Sequence, residues 1–240
     1  MQQNLYKNYY TTQSSRYSAD NLSTSSVKTA RHYKKEIVPL LPKNKEISIL
    51  EVGCGHGTLL STLTDNGYNN IRGIDKSHEQ VSIAEKQGIT CVEEGDLLSF
   101  LENHDGKFDV VIGIDVIEHL EKDELLEFLS LAHNALNKNG TILLRTPNGD
   151  APFGSTYYFG DFTHRLVLNS FSAEQILISS GFKNVHIFSS KIIVDGYIKE
   201  LGRKTIWAFV IFVSKLLLFA SGKSTKGVLF TPNIILTGIK

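Results

Sequence analysis

Glycine and carboxylate residues follow successive apolar runs of this 240-residue chain, and their types and spacing suit the binding of a nucleoside. The run 47–52 contains Glu51 and leads into three alternating glycines, Gly53, Gly55 and Gly57. Glycine allows a sharp turn and lets a ligand approach the backbone without a Cβ in the way. The spacing differs from the dinucleotide-binding fingerprint G-x-G-x-x-G, because position 58 is threonine. A tight strand-to-helix turn without a ligand is the alternative for this segment alone.

Acidic residues also end the next two apolar runs. Asp75 can accept hydrogen bonds from both hydroxyls of a ribose, and Asp96, with the neighbouring amide of Leu97, can read the edge of an adenine. Each acid alone is explained equally well as a turn or helix-cap residue. Three such features after three successive strands favour a binding site, because open α/β sheets bind ligands at the carboxyl ends of their strands.

The segments between these residues predict the elements that position them. Apolar strand-like runs alternate with amphipathic helix-like stretches, which indicates a mostly parallel sheet with helices on both faces. The predicted strands are 47–52, 71–74, 90–92, 108–114, 141–145, 185–194 and 233–239. The predicted helices are 27–38, 58–64, 79–87, 97–101, 122–136 and 172–180.

Composition excludes several classes of protein. Lys plus Arg and Asp plus Glu each number 25, so the formal net charge is zero and a long nucleic-acid footprint is not expected. Two cysteines are too few for a disulfide scaffold or a multi-cysteine zinc module. The first residues lack the apolar core of a signal peptide, and the longest apolar runs fall short of the roughly 20 residues of a spanning helix. We therefore expect a cytoplasmic protein.

The stretch 108–120, which ends in Asp115-Val116-Ile117-Glu118-His119-Leu120, together with the Glu51–Gly57 turn, resembles the class I S-adenosylmethionine-dependent methyltransferases. Within them it is most similar to the branch of quinone-biosynthesis and glycan-cluster O-methyltransferases, over about residues 47–192. The resemblance implies a Rossmann-like methyltransferase fold: a doubly wound, mostly parallel seven-stranded sheet with a reversed last strand. It implies that the glycine turn passes under the methionine part of the cofactor, with Asp75 at the ribose and Asp96 near the adenine. The implied cofactor-binding residues are Glu51, Gly53, Gly55, Gly57, Asp75, Asp96, Leu97, Ile114 and Asp115.

Methyl transfer to a hydroxyl needs a base, because the acceptor loses its proton as it attacks. His119 comes shortly after the fourth predicted strand and is expected to face the methyl group, while His164 is the rival base. The alternative for His119 is a structural role at the start of a helix.

A metal site is the minority interpretation. Asp115, Glu118 and His119 are spaced i, i+3 and i+4, which puts them on one face if the segment is helical, and His164 would complete the set. Some relatives bind a divalent ion with an acid-x-x-Glu-His set, but Asp115 stands where they have glutamate. A divalent metal is therefore not expected.

Residues 195–228 form a predicted helical insertion before the last strand. They contain six Lys or Arg against two Asp or Glu, and the centre, 206–213, is apolar on all sides. A helix of this kind is buried in the core, paired with a second copy in a homodimer, or embedded at a membrane surface. The flanking basic residues and Trp207 favour peripheral contact with the inner face of the membrane.

The predicted organisation is a flexible arm at 1–26, a methyltransferase core at 27–194, the insertion at 195–228 and a strand at 229–240 that completes the core. We expect the acceptor to be a small-molecule or lipid-linked glycan, or alternatively a polyprenylated quinone precursor. A hypothesis of another class is a non-catalytic nucleotide-sensing or interaction module on the same fold. The long loop 146–168 carries aromatic residues that either stack on the acceptor or cover the sheet edge: Phe153, Tyr157, Tyr158, Phe159 and Phe162. A similar lid role is expected for Tyr9, Tyr10 and Tyr17.

Overall fold

The structure, a computed structural model, describes residues 22–240 of the chain. Its centre is a seven-stranded sheet with the order β3-β2-β1-β4-β5-β7-β6. The strands are β1 Ile49–Val52, β2 Ile71–Asp75, β3 Val92–Glu94, β4 Phe108–Ile114, β5 Leu136–Pro147, β6 Lys183–Ser189 and β7 Asn233–Ile239. Strands β1 to β5 pair in parallel, and β7 runs antiparallel between β5 and β6. The predicted doubly wound sheet with a reversed last strand is therefore confirmed.

Helices cover both faces of this sheet, as predicted. They are α1 Leu22–Glu36, α2 Thr58–Asp65, α3 His78–Lys86, α4 Leu97–Leu101, α5 Lys122–Ala135, α6 Gly154–Tyr158, α7 Ser170–Ser179 and α8 Tyr197–Ala220. Side chains of β4 alternate between two hydrophobic cores: Val111 packs with α4, α5 and α7, whereas Val110 and Ile112 pack with α1 and α2. Burial on both faces explains why β4 reads as a continuous apolar run rather than as an alternating one.

Several predicted boundaries are wrong. Helix α1 begins at Leu22 instead of at residue 27, so it takes in the end of the predicted arm, whose residues 1–21, including Tyr9, Tyr10 and Tyr17, lie outside the described residues. Strand β6 ends at Ser189 rather than at residue 194, and β3 starts at Val92 rather than at residue 90. Strand β5 runs from residue 136 to 147, longer than predicted, because Leu136 pairs with Phe108 of β4 and the pairing with β7 continues to Pro147. The predicted loop 146–168 contains the short helix α6.

Helix α8 stands apart from the core. It is 24 residues long, none of its residues is buried, and no helix in the described part of the chain is long and apolar enough to cross a membrane. Large apolar side chains point to solvent along its length, with Ile198 84%, Phe209 66% and Phe219 79% exposed. Deep burial within the chain, one of the three alternatives for this segment, is therefore excluded.

Candidate functional site

A cavity of about 240 Å³ opens at the carboxyl ends of β1, β2, β3 and β4. A sheet edge of this kind is where the sequence predicts a ligand. Among the predicted site residues, those that line the cavity are Gly53, Gly55, Asp75, Asp96, Leu97, Asp115 and His119. Those that do not line it are Glu51, Gly57, Ile114, Glu118 and His164.

Each of the three positions of the turn after β1 carries glycine for a different structural reason. All three have a positive φ, at 64° for Gly53, 54° for Gly55 and 76° for Gly57. A Cβ on Gly53 would lie 2.3 Å from Val116, and one on Gly57 would lie 2.9 Å from an isoleucine, so packing alone excludes side chains there. A Cβ on Gly55 would meet only Gln80, at 3.8 Å. The space beside Gly55 belongs to the cavity, so of the three glycines it is the one that ligand approach explains best.

Asp75, the last residue of β2, is held by two backbone amides. Its Oδ2 accepts a hydrogen bond from the N–H of Gly55 at 2.7 Å, and its Oδ1 accepts one from the N–H of Ser77 at 2.8 Å. Burial raises the pKa of this carboxyl group, and these two hydrogen bonds oppose that rise. A carboxylate has about four lone-pair sites, so both oxygens retain capacity for the hydroxyls of a ligand.

Glu51 lies within β1, next to the turn, and is only 3% exposed. Burial and the charge of Asp75 raise its pKa well above the ordinary value. Its Oε2 is buried without a hydrogen-bond partner among the described residues, which is costly unless a ligand supplies one. The open space at Gly55 and this unpaired oxygen together fit a cofactor with polar groups, such as the one implied by the resemblance.

Asp96 lies both at the cavity and at the start of a helix. It lines the cavity and is also the N-cap of α4, where its Oδ1 accepts hydrogen bonds from the amides of Leu98 at 3.0 Å and Ser99 at 3.2 Å. The side chains of Leu97 and Leu98 add an apolar wall at the same place. A carboxylate beside an apolar wall is suited to a flat heteroaromatic ring with an exocyclic amine.

Asp115 does not join the predicted Asp-Glu-His set. Its backbone has a φ of 55°, so the chain turns sharply here rather than starting a helix, and Ile117–His119 is a single 3₁₀ turn. The carboxylate instead pairs with Arg145 of β5, whose Nε donates to Oδ1 at 3.1 Å and whose Nη2 donates to Oδ2. The i, i+3, i+4 argument is therefore wrong for Asp115.

Arg145 links this site to the N-terminal helix. Its Nη1 donates to Glu36 of α1 at 3.3 Å, and Glu36 also accepts hydrogen bonds from Ser190 and from the amide of Lys191. Burial acts to raise the pKa of Glu36, but His32, Ser190, Lys191 and Arg145 outweigh it and lower that pKa to about 2. Arg145 also lines a second cavity, of about 440 Å³, between α1 and the residues after β6.

His119 lines the cavity and is hydrogen-bonded to the loop that follows β5. Its Nδ1 lies 2.8 Å from Oγ1 of Thr163, and that hydroxyl donates to Oδ1 of Asp161 at 2.6 Å. Burial, followed by the neighbouring His164, lowers the pKa of His119 to about 4. The imidazole is therefore neutral at pH 7, the form that can accept a proton.

His164 lies against His119, with ring centroids 4.8 Å apart. Its Nδ1 is 2.8 Å from the carbonyl oxygen of Tyr158, which only accepts, so this nitrogen carries the proton. One ligand atom each from Glu118, His119 and His164 lie within 4.8 Å of one another. A carboxylate and two imidazoles are suitable donors for a zinc-like divalent ion, so the donor set of the minority metal hypothesis fits once Asp115 is removed from it.

Three of the aromatic rings on the loop 146–168 are exposed to solvent and do not cover the sheet edge. Phe153, Phe159 and Phe162 are 76%, 78% and 87% exposed, whereas Tyr158 packs beside His164 with ring centroids 5.8 Å apart. The alternative that these aromatics only cover the sheet does not hold for the three phenylalanines.

The sequence did not reveal the hydrogen-bond partners of Asp115 and His119. Arg145 and Glu36 lie 109 residues apart in the chain, and no local pattern pairs them. Asp161 and Thr163 belong to the stretch 161–165, in which the sequence assigned roles only to Phe162 and His164. The Asp-x-Thr spacing is typical of a local turn in which the aspartate accepts from the residue two positions on, and Asp161 does accept from the Thr163 amide at 2.8 Å.

Comparison with protein families matches residues 27–187 to a family described as a methyltransferase domain. A curated relative is the mitochondrial ubiquinone biosynthesis O-methyltransferase of Saccharomyces cerevisiae, 28% identical over 144 residues, which are 57% of this chain and 46% of that protein. Another is the ubiquinone biosynthesis O-methyltransferase of Rickettsia bellii, 31% identical over 107 residues, 43% of each chain. This chain thus spans about half the length of the curated relatives that it matches.

The fold is shared with a solved S-adenosylmethionine-dependent methyltransferase from Archaeoglobus fulgidus. The TM-score is 0.68 at 19% identity, and the match covers 90% of this chain and 94% of that one. At this identity the likeness shows the fold, and it agrees with the strand order described above.

Proposed function

Because the chain belongs to the methyltransferase domain family, we propose that it transfers the methyl group of S-adenosylmethionine to an oxygen acceptor. The observation that carries the proposal is the cavity at the carboxyl ends of β1 to β4. It combines the open turn at Gly55, the carboxylates of Asp75 and Asp96, and a neutral histidine, His119, in one space.

The cofactor is proposed to lie along the sheet edge in the order of the strands. Gly53 and Gly55 would face its methionine part, with the unpaired oxygen of Glu51 buried next to that turn. Asp75 would accept from the ribose hydroxyls, and Asp96 and Leu97 would contact the adenine. Gly57 and Ile114 would support the turn and the end of β4 by packing rather than by contact. When bound, the cofactor supplies an electrophilic methyl group on a sulfonium sulfur.

His119 is proposed as the general base. His119 would take the proton that the acceptor hydroxyl loses as its oxygen attacks the methyl group. The neutral state of His119 supports this role, since a protonated imidazole could not act as the base. His164 stays the rival, because it lies beside His119.

The acceptor is proposed to be an oxygen on a lipid-attached molecule. Two features support it: exposed phenylalanines on the loop that carries His164, and the exposed apolar surface of α8. Of the two acceptors predicted, a polyprenylated quinone ring has support from the relatives named ubiquinone biosynthesis O-methyltransferase. A glycan on a lipid carrier, the first expectation from the sequence, has no such support.

We also propose that α8 makes peripheral contact with the membrane, where a lipid-attached acceptor would lie. Large apolar side chains point outward along α8, and Ile198, Leu201, Phe209, Phe212 and Phe219 are all more than half exposed. Helical spacing puts these residues on one continuous stripe that contains no charge.

Lysines border that stripe. Lys199 lies on one side of it, and Lys204, which pairs with Glu200, and Lys215 lie on the other, so the charges nearest its edges are positive. This arrangement attracts anionic lipid headgroups while the apolar stripe inserts. Two copies of the helix face to face would instead bring these lysines close together, which disfavours the homodimer.

The test is a methyl-transfer assay with labelled cofactor and a demethylated quinone precursor or lipid-linked glycan as acceptor. His119→Ala is expected to lower the rate by about two to four orders of magnitude at unchanged cofactor affinity, with a smaller loss for His164→Ala. Full activity of both single variants would contradict the histidine base. Activity that disappears with a chelator and returns with a divalent ion would instead favour the metal set of Glu118, His119 and His164. Cofactor binding without transfer to any acceptor would favour the non-catalytic module.

A further inference from the structure

The second cavity, of about 440 Å³ between α1 and the residues after β6, has a basic lining. None of the described residues that line it is Asp or Glu, whereas three of them are Lys or Arg. Tyr33, Ser190 and Asn233 add polar groups to the same lining. The three basic side chains are Lys28, Arg145 and Lys191. A cavity lined in this way attracts an anion.

The cavity at the carboxyl ends of β1 to β4, here called the cofactor cavity, has the opposite charge. Five of its lining side chains are Asp or Glu, and two are Lys or Arg. The acids are Asp75, Asp96, Asp115, Glu121 and Glu124. This lining suits a ligand that carries a sulfonium cation, whereas the basic lining of the second cavity suits a negatively charged ligand.

Arg145 supplies a buried charge to the second cavity, since it is 8% exposed and belongs to its lining. Three of its five N–H groups donate to Asp115 and Glu36. The other two have no acceptor among the described residues, so they can donate to a ligand. Because Asp115 lines the cofactor cavity, this ion pair joins the two cavities.

Lys191 adds a charge that no described carboxylate neutralises. Its Nζ donates to the backbone carbonyl of Lys35 at 2.8 Å, which uses one of its three N–H groups. Glu36, the nearby acid, is 1% exposed and is turned away from the lining. It accepts instead from the hydroxyl of Ser190 at 2.7 Å and from the backbone amide of Lys191. The positive potential of the cavity is therefore preserved.

An apolar surface lies beside these basic groups. Ile192, Ile193 and Pro232 line the same cavity. The first two belong to the segment 190–196, which connects the end of β6 directly to the start of α8. A ligand with an anionic group next to an apolar body would contact both kinds of surface.

We propose that the second cavity binds an oxyanion of the methyl acceptor, a carboxylate on the ring or a phosphate of a lipid carrier. The inference rests on the proposed methyl transfer and adds the chemical class of its acceptor. Arg145 and Lys191 bind the oxyanion, and Ile192 and Ile193 contact the apolar part of the molecule. The ion pair of Arg145 with Asp115 places this site next to the cofactor cavity.

Small probes test the site without any turnover. Benzoate, phenyl phosphate and the neutral benzamide are titrated at constant ionic strength into ¹⁵N-labelled protein, with and without S-adenosylhomocysteine. We expect at least one of the two anions to shift the amide signals of Lys191 and Ile192, and benzamide to leave them in place. The anion that binds more tightly identifies a carboxylate or a phosphate as the group recognised. If neither anion shifts these signals, or if S-adenosylhomocysteine displaces the anion, the proposal is overturned.

Charge variants locate the binding. Lys191→Glu removes an attraction and adds a repulsion of similar size, so it should weaken anion binding about 3- to 30-fold. Asn233→Asp adds a negative charge to the lining with almost no change in shape and should act in the same direction. Lys34→Glu is the matched control, because Lys34 is an exposed lysine of α1 that does not line the cavity. Equal anion affinity of all three variants, with thermal melts showing that each is folded, would refute the site.

The inference and the proposed function can fail separately. If the anions bind as expected but the protein methylates no oxygen acceptor, the anion site is confirmed and the proposed function fails. If methyl transfer is measured while benzoate and phenyl phosphate bind no better than benzamide, the proposed function stands and the anion site is refuted.

Discussion

Gly55 and Gly106 allow a matched test of the cofactor turn. Both have left-handed backbones, with φ of 54° and 59°. A Cβ added at Gly55 would have its nearest heavy atom 3.8 Å away, and one added at Gly106 would have none within 4 Å. Substitution by alanine therefore costs each protein only the strain of a left-handed residue, about 1–2 kcal/mol. For a chain of this length that strain lowers Tm by roughly 2–8 °C in both variants.

Cofactor affinity should separate the two variants. Gly55 lines the cavity, whereas Gly106 does not, so only Gly55→Ala puts a methyl group into the space proposed for the cofactor. Overpacking by a methyl group costs about 1–3 kcal/mol, which corresponds to roughly 5- to 150-fold weaker binding. Gly106→Ala should bind as the wild type does.

The assay is calorimetric titration with S-adenosylhomocysteine, combined with thermal melts of the same samples. Equal melting of the two variants with a selective loss of affinity in Gly55→Ala is the expected result. If Gly55→Ala binds as tightly as Gly106→Ala, the cofactor does not pass beside Gly55 and the assignment of the turn is refuted.

Three further predictions concern other parts of the account. Asp75→Ala should weaken cofactor binding more than it lowers kcat, because a ribose contact exists in both the ground and the transition state; normal affinity with lost turnover would contradict it. Glu36 has a pKa of about 2 in the folded protein, whereas the ordinary value is 4.5. This shift contributes at most about 3 kcal/mol to the free energy of unfolding above pH 5, and the contribution is lost as the pH falls from 4.5 towards 2. Urea unfolding at pH 7 and pH 3 should show that loss in the wild type and much less of it in Glu36→Gln. The double variant Phe209→Ser, Phe212→Ser should co-sediment less with anionic vesicles than the wild type, whereas Phe171→Ser, which lies outside α8, should not. If the wild type is instead a dimer that the double variant splits, this surface of α8 is a protein interface.

Local patterns predicted the sheet well, because each strand is marked by features within a few residues. β4 has the predicted bounds, Phe108–Ile114, since both of its faces are buried and its apolar run ends where the burial ends. The extension of β5 from Arg145 to Pro147 depends on β7, which begins only at Asn233, and so no window around β5 could indicate it.

The sequence predicted which residues lie at the candidate site, but not which side chains bond to one another there. The carboxylates Asp75 and Asp96 lie at the cavity because strand ends determine their position. Asp115 was assigned to the wrong partners, because the helical-spacing argument assumes a regular backbone and the φ of 55° at this residue breaks it. Its actual partner, Arg145, is buried in β5, 30 residues further along the chain, and a pairing over that distance leaves no periodic signal in the sequence.

A crystal structure with bound S-adenosylhomocysteine tests the central claim most directly. The account predicts that the ribose hydroxyls bond to Asp75, that the adenine lies against Asp96 and Leu97, and that the sulfur is on the side of the cavity that His119 lines. Ligand density in the second cavity beside Arg145, or a ribose away from Asp75, would contradict it.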